Sequence, residues 1–316
     1  LKIIEVDLNN KHQKKDFINF PFYLYKNNPF WVPPIQSELN TVMNTHKHPY
    51  YQHSKAKFFV ALDDNKVVGR LAALFNKNYA QFHNEAIGFF YYFECNNNQD
   101  VANNLFDEAV NWFKQVGVTR IIGPKGFLRS NGFGILVSGF EYLPAVSIPY
   151  NLPFYDELLS NYGFIKLTDH MSGYLYAKNQ LPEKLHLVAE KVREKSGFWV
   201  KSFKSRKEMV PWIPKIDKVH YDAFHNNPNF YPSTPEEFQF IARNILSIAS
   251  PQMIKIIMKD QEVAGFVISY PNISRALQKT GGKIFPFGWM KILRAQQNFS
   301  VIDINGVGLL PDYQGR

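Results

Sequence analysis

The stretch Ser300–Arg316, SVIDINGVGLLPDYQGR, holds the residues best spaced for chemistry. Val301, Ile302 and Ile304 give it the β-branched, alternating pattern of a strand. Val301, Asp303 and Asn305 then share one face, and Ile302 and Ile304 the other. Gly306, Gly308 and Pro311 make a strand end poorly suited to further pairing. Asp312-Tyr313-Gln314-Gly315-Arg316 follows as a turn. A turn that opens a helix presents unsatisfied backbone N–H groups and a positive dipole, which suits a pyrophosphate. A small residue lets the backbone come close to phosphate, and Arg316 adds charge. The plainer alternative is an ordinary strand, turn and helix start.

Other chemistry-bearing groups carry less. His46, His48 and His53 have a spacing that invites a metal, but no Cys or carboxylate cluster joins them, and Lys47 and Lys55 would repel a cation. A solvated loop is expected there. Cys95, the only cysteine, ends an aromatic strand and reads as a buried small hydrophobe. The glycine-rich loop Gly123–Gly134 with Lys125 and Arg129 could hold an anion, against a plain surface loop.

Length and composition bound the answer. A chain of 316 residues suffices for two domains of ordinary size. With 45% hydrophobic and 20% charged residues it reads as globular. No apolar run is long enough to span a membrane, and no signal-peptide pattern opens the chain. A single cysteine excludes an internal disulfide and makes a reducing, cytoplasmic compartment the expectation. The net charge of +9 points to anionic partners. No helix-turn-helix, zinc-finger or RNA-binding signature is present, so nucleic acid is not expected among them.

The elements that must position these residues follow in order. A strand at Lys2–Val6 and helices over His12–Lys26 and Ser37–Asn44 precede a hairpin, Lys57–Leu62 and Lys66–Phe75, across Asp63-Asp64-Asn65. A strand at Ala86–Cys95, an amphipathic helix at Val101–Val116, a strand at Arg120–Gly123, a helix at Phe154–Tyr162 and a strand at Phe164–Ala177 complete the first half. A charged helix over Pro182–Ser196 marks a boundary. The pattern then restarts with strand Phe198–Phe203, a helix to Phe224, and a helix over Pro235–Ile248 capped by Thr234. The hairpin Met253–Met258 and Glu262–Tyr270 repeats the first one.

Leu309-Leu310-Pro311-Asp312-Tyr313-Gln314 resembles the first half of the acyl-CoA-binding motif of GNAT-type N-acyltransferases. That motif runs from an apolar pair through Pro, x and Tyr to Q/R-x-x-G-x-G/A. Gln314 takes the Q/R position, and Gly315 and Arg316 the two variable positions. The motif stops there, and the expectation is a natural chain longer at its C-terminus. Pro153–Phe164 resembles the superfamily's second motif, a tyrosine helix ending in Gly-Phe, whose tyrosines belong to the core or line an acyl-CoA. The resemblance implies an α/β (α+β) fold of two tandem GNAT-like units, each a mixed, mostly antiparallel sheet flanked by helices. Residues 1–180 form a degenerate unit, 181–197 a connecting helix, and 198–316 a second unit that is incomplete and carries an insertion at 271–299. The first unit departs from the motif at Asn96–Asp100, which has no glycine and places Asp100 as a competing anionic cap.

The implied reaction is direct attack of an amine on the thioester of acetyl-CoA or a longer acyl-CoA, without a metal. Leu309 and Leu310 would offer a backbone N–H to the thioester carbonyl, while Tyr313, Gln314, Gly315 and Arg316 would contact the cosubstrate. Asp303 would be the general base, directly or through water, and Asn305 stands where many relatives carry a glutamate. His220 and Tyr221 are the alternative base and acid, although a helix histidine is more often structural. The acid for the leaving thiolate would lie past Arg316. A different class, a non-catalytic acyl-CoA-binding or scaffold protein, stays open.

The insertion mixes Arg275, Lys279, Lys283, Lys291 and Arg294 with Ile284, Phe285, Phe287, Trp289, Met290, Ile292 and Leu293. Such a mixture suits peripheral membrane contact through 275–294, at the inner face of the membrane, or a cover over an acyl chain. Packing on the second unit or on a partner subunit is the alternative. Double-unit proteins with an FPFG-type insertion resemble bacterial acyltransferases of lipid N-acylation, the ceramide synthase-like group included. That implies a small-molecule or lipid amine as acceptor.

Overall fold

A computed structural model describes residues 1–315, apart from the side chains of Lys195 and Ile248. The chain runs β1 (Lys2–Glu5), α1 (Lys11–Leu24), α2 (Gln36–Val42), β2 (Lys55–Asp63), β3 (Lys66–Phe75), α3 (Lys77–His83), β4 (Ile87–Cys95), α4 (Gln99–Gln115), β5 (Arg120–Ile122) and α5 (Tyr155–Tyr162). It continues through α6 (Glu183–Lys195), β6 (Phe198–Lys201), α7 (Arg206–Met209), α8 (Ile213–Phe224), α9 (Pro235–Ile248), β7 (Ile254–Lys259), β8 (Glu262–Pro271), α10 (Ser274–Thr280), α11 (Gly288–Gln297) and β9 (Ile302–Leu309). Two compact units result, and neither is contiguous in sequence. One comprises residues 1–164, 228–245 and 271–303; the other comprises 165–227, 246–270 and 304 onward.

The first unit is built on a five-stranded sheet in the order β1-β2-β3-β4-β5. Its pairs are antiparallel except β4–β5, which is parallel. The β2–β3 hairpin turns on Asp64 and Asn65 with φ of 46° and 63°, a left-handed conformation that Asp and Asn tolerate well. Period-two alternation gives the sheet two apolar faces. Phe58 and Val60 pack with Phe17, Tyr50 and Phe127 on one, and Phe59 and Ala61 pack with Leu105, Phe106 and Tyr155 on the other. The N-cap of α4 is Asn98, whose Oδ1 accepts from the Asp100 and Val101 amides, so Asp100 is a first-turn residue and not the expected cap.

A four-stranded sheet in the order β6-β7-β8-β9 organises the second unit. β6–β7 and β7–β8 are antiparallel, and the second hairpin turns on Asp260 at φ 52°. The Leu310 amide donates to the Ala264 carbonyl at 2.9 Å, which continues β9 alongside β8. Ile256, Met258, Ala264 and Phe266 of this sheet are buried, as is Val219 of α8. Each sheet, with its flanking helices, has the mixed and mostly antiparallel form expected.

Two expectations are corrected. The strand expected at Phe164–Ala177 pairs with neither sheet, and Ile165 and Met171 are 90% and 96% exposed. Alternation makes a strand only where a sheet edge receives it. The insertion 271–299, counted from the sequence with the second unit, counts with the first unit. Gln278 Nε2 donates to the carbonyls of Pro29 and Trp31 at 2.8 and 3.0 Å, and Ser274 Oγ to Pro144 at 2.9 Å. Gly282, at φ +70°, lies so close to the Pro34 carbonyl that a Cβ there would come within 2.1 Å of the oxygen.

Candidate functional site

β9 is the edge strand of the second sheet. Amides alternate between the two edges of a strand, and the Leu310 N–H is spent on Ala264. The Leu309 and Val307 amides therefore project from the outer edge, where no strand among the described residues meets them. Gln314 reaches back to this edge, its Nε2 donating to the Leu309 carbonyl at 2.7 Å. Between them a 3₁₀ turn over Pro311–Tyr313 closes with Tyr313 N–H on Leu310 and Gln314 N–H on Pro311, at 2.9 and 3.1 Å. Gly315 follows at φ +72°, a conformation that favours glycine. The Tyr313 ring meets Phe198 edge-on, 5.2 Å between centroids. Leu309, Tyr313, Gln314 and Gly315 are thus gathered at one strand end. The Leu310 amide is committed to the sheet, and Arg316 lies outside the described residues.

The two sets of acid–base candidates divide over the faces of β9. Gly306 and Gly308 face the Phe266 ring, and a Cβ on Gly308 would stand 2.6 Å from it. His220 stacks on that same ring. Asn305 belongs to the opposite face, where it is exposed. Tyr221 turns away to stack on His225, with ring centroids 5.6 Å apart and 9° between planes. His220 and Asn305 are therefore not brought together.

Asp303 is, with Gly308, one of the two buried residues of β9, and it counts with the first unit. Both of its carboxylate oxygens accept from Asn272 Nδ2 at 3.0 Å, and the Val146 amide donates to Oδ2 at 3.3 Å. Burial pushes its carboxyl above the usual range, while these two hydrogen bonds pull the other way. Asn272 Oδ1 in turn accepts from the Ser274 amide at 3.1 Å, at the start of α10. Asp303 thus also anchors the root of the insertion.

In the first unit the corresponding strand end is closed. β4 is irregular at Tyr92, where φ is 51° and the register with β3 shifts. Just past it Glu94 pairs with Arg70, which is 1% exposed and also donates to the Phe17 carbonyl at 2.7 Å. Burial raises the Glu94 carboxyl and the Arg70 charge opposes that rise. The Tyr155 hydroxyl accepts from the Cys95 amide at 2.9 Å and donates to its carbonyl at 3.2 Å. Tyr155 is a core residue, and no donor of Cys95 is left for a thioester. Burial pushes the Cys95 thiol up to about 12. Lys125 in the glycine-rich loop turns inward, donating to the Asn229 carbonyl at 3.0 Å beneath Tyr79 and Phe89, and burial brings it down to about 8.

The histidine loop is not solvated as expected. His46 is exposed, but His48 is 3% exposed among Tyr50, Tyr51, Phe127 and Phe240. His53 Nε2 donates to Glu237, a fully buried carboxylate, at 3.0 Å. Sequence reasoning missed this pair and the Arg70–Glu94 pair. The one local signal was Thr234-x-x-Glu237, a capping box that marks Glu237 as held in place. Among the described residues no group of three or more His, Cys, Asp or Glu could hold a metal ion.

No family model matches the chain. Protein YghO of Escherichia coli K12 is 26% identical over 285 residues, covering 90% of this chain and 72% of that protein. A bacterial ceramide synthase of Caulobacter vibrioides is 25% identical over 283 residues, covering 88% of this chain and 72% of that protein. A solved tandem GNAT protein from the clavulanic acid biosynthesis pathway aligns at a TM-score of 0.42 and 11% identity, over 85% of this chain and 73% of its own. At that TM-score the architecture rests on the strand orders and registers above rather than on the likeness. The chain is a two-sheet protein that resembles the GNAT superfamily and is similar, along nearly nine-tenths of its length, to a bacterial ceramide synthase.

Proposed function

We propose that the protein is an acyl-CoA-dependent N-acyltransferase with β9 as its catalytic strand. The observation that carries this reading is the unpaired outer edge of β9, where the Leu309 N–H projects beside Gln314 and the left-handed turn at Gly315. An N–H fixed at that edge can polarise a thioester carbonyl without reorganising during the reaction. The amine nitrogen attacks the carbonyl carbon, the C–N bond forms and the C–S bond breaks. The amine's proton passes to a base, and the thiolate takes a proton as it leaves. Asp303 is the base of this reading through a chain of waters, since six strand residues, about 20 Å, separate it from Leu309; a carboxyl whose pKa is raised by burial is the stronger base once ionised.

The acceptor in this reading is the amine of a long-chain lipid, and the donor a long-chain acyl-CoA. The likeness to a ceramide synthase supports it, since a ceramide is an N-acylated long-chain amine. Contact with a membrane surface through residues 275–294 belongs to the same reading. No helix among the described residues is long and apolar enough to cross a membrane. α11 has no buried residue, and Trp289, Met290 and Leu293 are exposed on it.

A second reading, a non-catalytic acyl-CoA binder, is favoured by one observation: Asp303 already has hydrogen bonds on both oxygens, and Asn305 cannot take a proton in its place. The test is palmitoyl-CoA incubated with the protein, with and without a long-chain amine. Free thiol that rises only with the amine supports the enzyme. Binding of palmitoyl-CoA by calorimetry without thiol release supports the binder.

A further inference from the structure

One side of α1 is built to meet an anion. Lys11, Lys14 and Lys15 recur at the spacing that places them together, and Ile18 and Phe22 continue the same side of the helix. They form one wall of a groove of about 670 Å³ in the first unit. The start of α2 and the end of α10 form the other wall, from which Lys283 adds a fourth ammonium. No acidic side chain lines the groove, and among the described residues none of the four lysines is in an ion pair. The first turn of α1 also has no acidic residue, so the lysines add to the positive end of the helix dipole instead of offsetting it. Four cations along one groove are relieved by an anion.

The neighbourhood says which kind. Two and four residues on from Lys283, Phe285 and Phe287 are 80% and 67% exposed. α11 then exposes Trp289, Met290 and Leu293 while carrying Lys291 and Arg294. A soluble phosphate has no use for these side chains, whereas a lipid bilayer accepts them at its interface. We propose that the groove seats the phosphate headgroup of an anionic phospholipid while Phe285, Phe287 and the apolar side of α11 enter the acyl-chain region. This rests on the membrane contact in the reading above and is independent of acyl transfer.

The test is co-sedimentation of the whole protein with vesicles of phosphatidylcholine alone, or of phosphatidylcholine with phosphatidylglycerol. The variants are Lys14→Gln/Lys15→Gln/Lys283→Gln and Phe285→Ser/Phe287→Ser. A lysine near an anionic surface is worth on the order of fivefold in partitioning, so the triple variant is expected to bind the phosphatidylglycerol vesicles about 100-fold more weakly. The double variant is expected to bind them weakly as well, and the wild type to ignore phosphatidylcholine alone. Titration with soluble glycerol phosphate is expected to give no saturable binding. The inference is overturned if the triple variant partitions like the wild type, if both vesicle types bind alike, or if glycerol phosphate saturates the groove without vesicle binding. Amine-dependent thiol release with detergent-dispersed substrate should survive the triple change. Its loss from the wild type would count against acyl transfer and not against this groove.

Discussion

The imidazole of His220 lies nearly parallel to the Phe266 ring, 6.2 Å between centroids and 12° between planes. Phe266 in turn fills the space where a side chain on Gly308 would stand. The glycines of β9 are thus part of the packing under the candidate strand. Gly308→Ala places a methyl 2.6 Å from that ring and should cost about 1–3 kcal/mol of stability, as overpacking does. Gly306→Ala, whose methyl would meet the nearest atom at 3.7 Å, should leave the unfolding midpoint nearly unchanged. Denaturant unfolding of the two variants side by side checks this.

Because His220 belongs to the Gly308 face of β9, it cannot share a direct role with Asn305. Asp303→Asn should lower kcat by about 10²-fold or more, in the range of lost general-base catalysis, and His220→Ala by less than about tenfold. In the wild type the acid limb of the pH–rate profile should lie above the usual carboxylate range, because burial disfavours the charged form of Asp303 and ionised Asp303 is the active form. Initial rates of thiol release across pH read both. A larger loss with His220→Ala would move the base to the other face.

His48 should govern acid stability. Burial lowers its imidazole from 6.5 to about 4, and its Nδ1 has no hydrogen-bond partner. The unfolded chain then binds more protons than the fold between those values, so stability is full above 6.5 and falls as pH drops toward 4. The loss from this one group is on the order of 3 kcal/mol. His48→Phe, placed among four aromatic rings, should flatten that slope; equal slopes in urea titrations of both proteins would contradict the assignment.

Glu237 is fully buried and accepts from His53 at 3.0 Å, from the Tyr231 hydroxyl at 3.3 Å and from the Thr234 amide at 3.1 Å. His53→Ala would take one of three hydrogen bonds from this buried carboxylate and should cost about 1–3 kcal/mol. Adding Glu237→Gln to that variant should restore part of the loss, which a double-mutant cycle measures.

Local features were legible in the sequence. The two hairpins showed in their period-two strands and in the Asp64-Asn65 and Asp260 turns, and the cap at Thr234 in its position before Pro235-Glu236-Glu237. What stayed hidden depends on distance along the chain. Glu237 meets His53 184 residues away, and Gln278 meets Pro29 249 residues away, so neither the buried pair nor the seat of the insertion has a local signature. The run 164–177 shows the converse: its alternation was real, but no strand edge receives it. At the candidate site, residue types named Leu309 and Gln314. Only the Leu310–Ala264 hydrogen bond decides which of the two leucine amides points outward.

That amide gives the most direct test. Leu309→Pro removes the outward N–H and leaves Leu310 N–H on Ala264. The measurement is thiol release from palmitoyl-CoA with a long-chain amine, on wild-type and variant proteins of equal unfolding midpoint. Amine-dependent release by the wild type and a loss of about 10²–10³-fold in the variant are expected, as for an oxyanion-hole donor. Release that is equal in the two proteins, or that never depends on the amine, would contradict the acyltransferase reading.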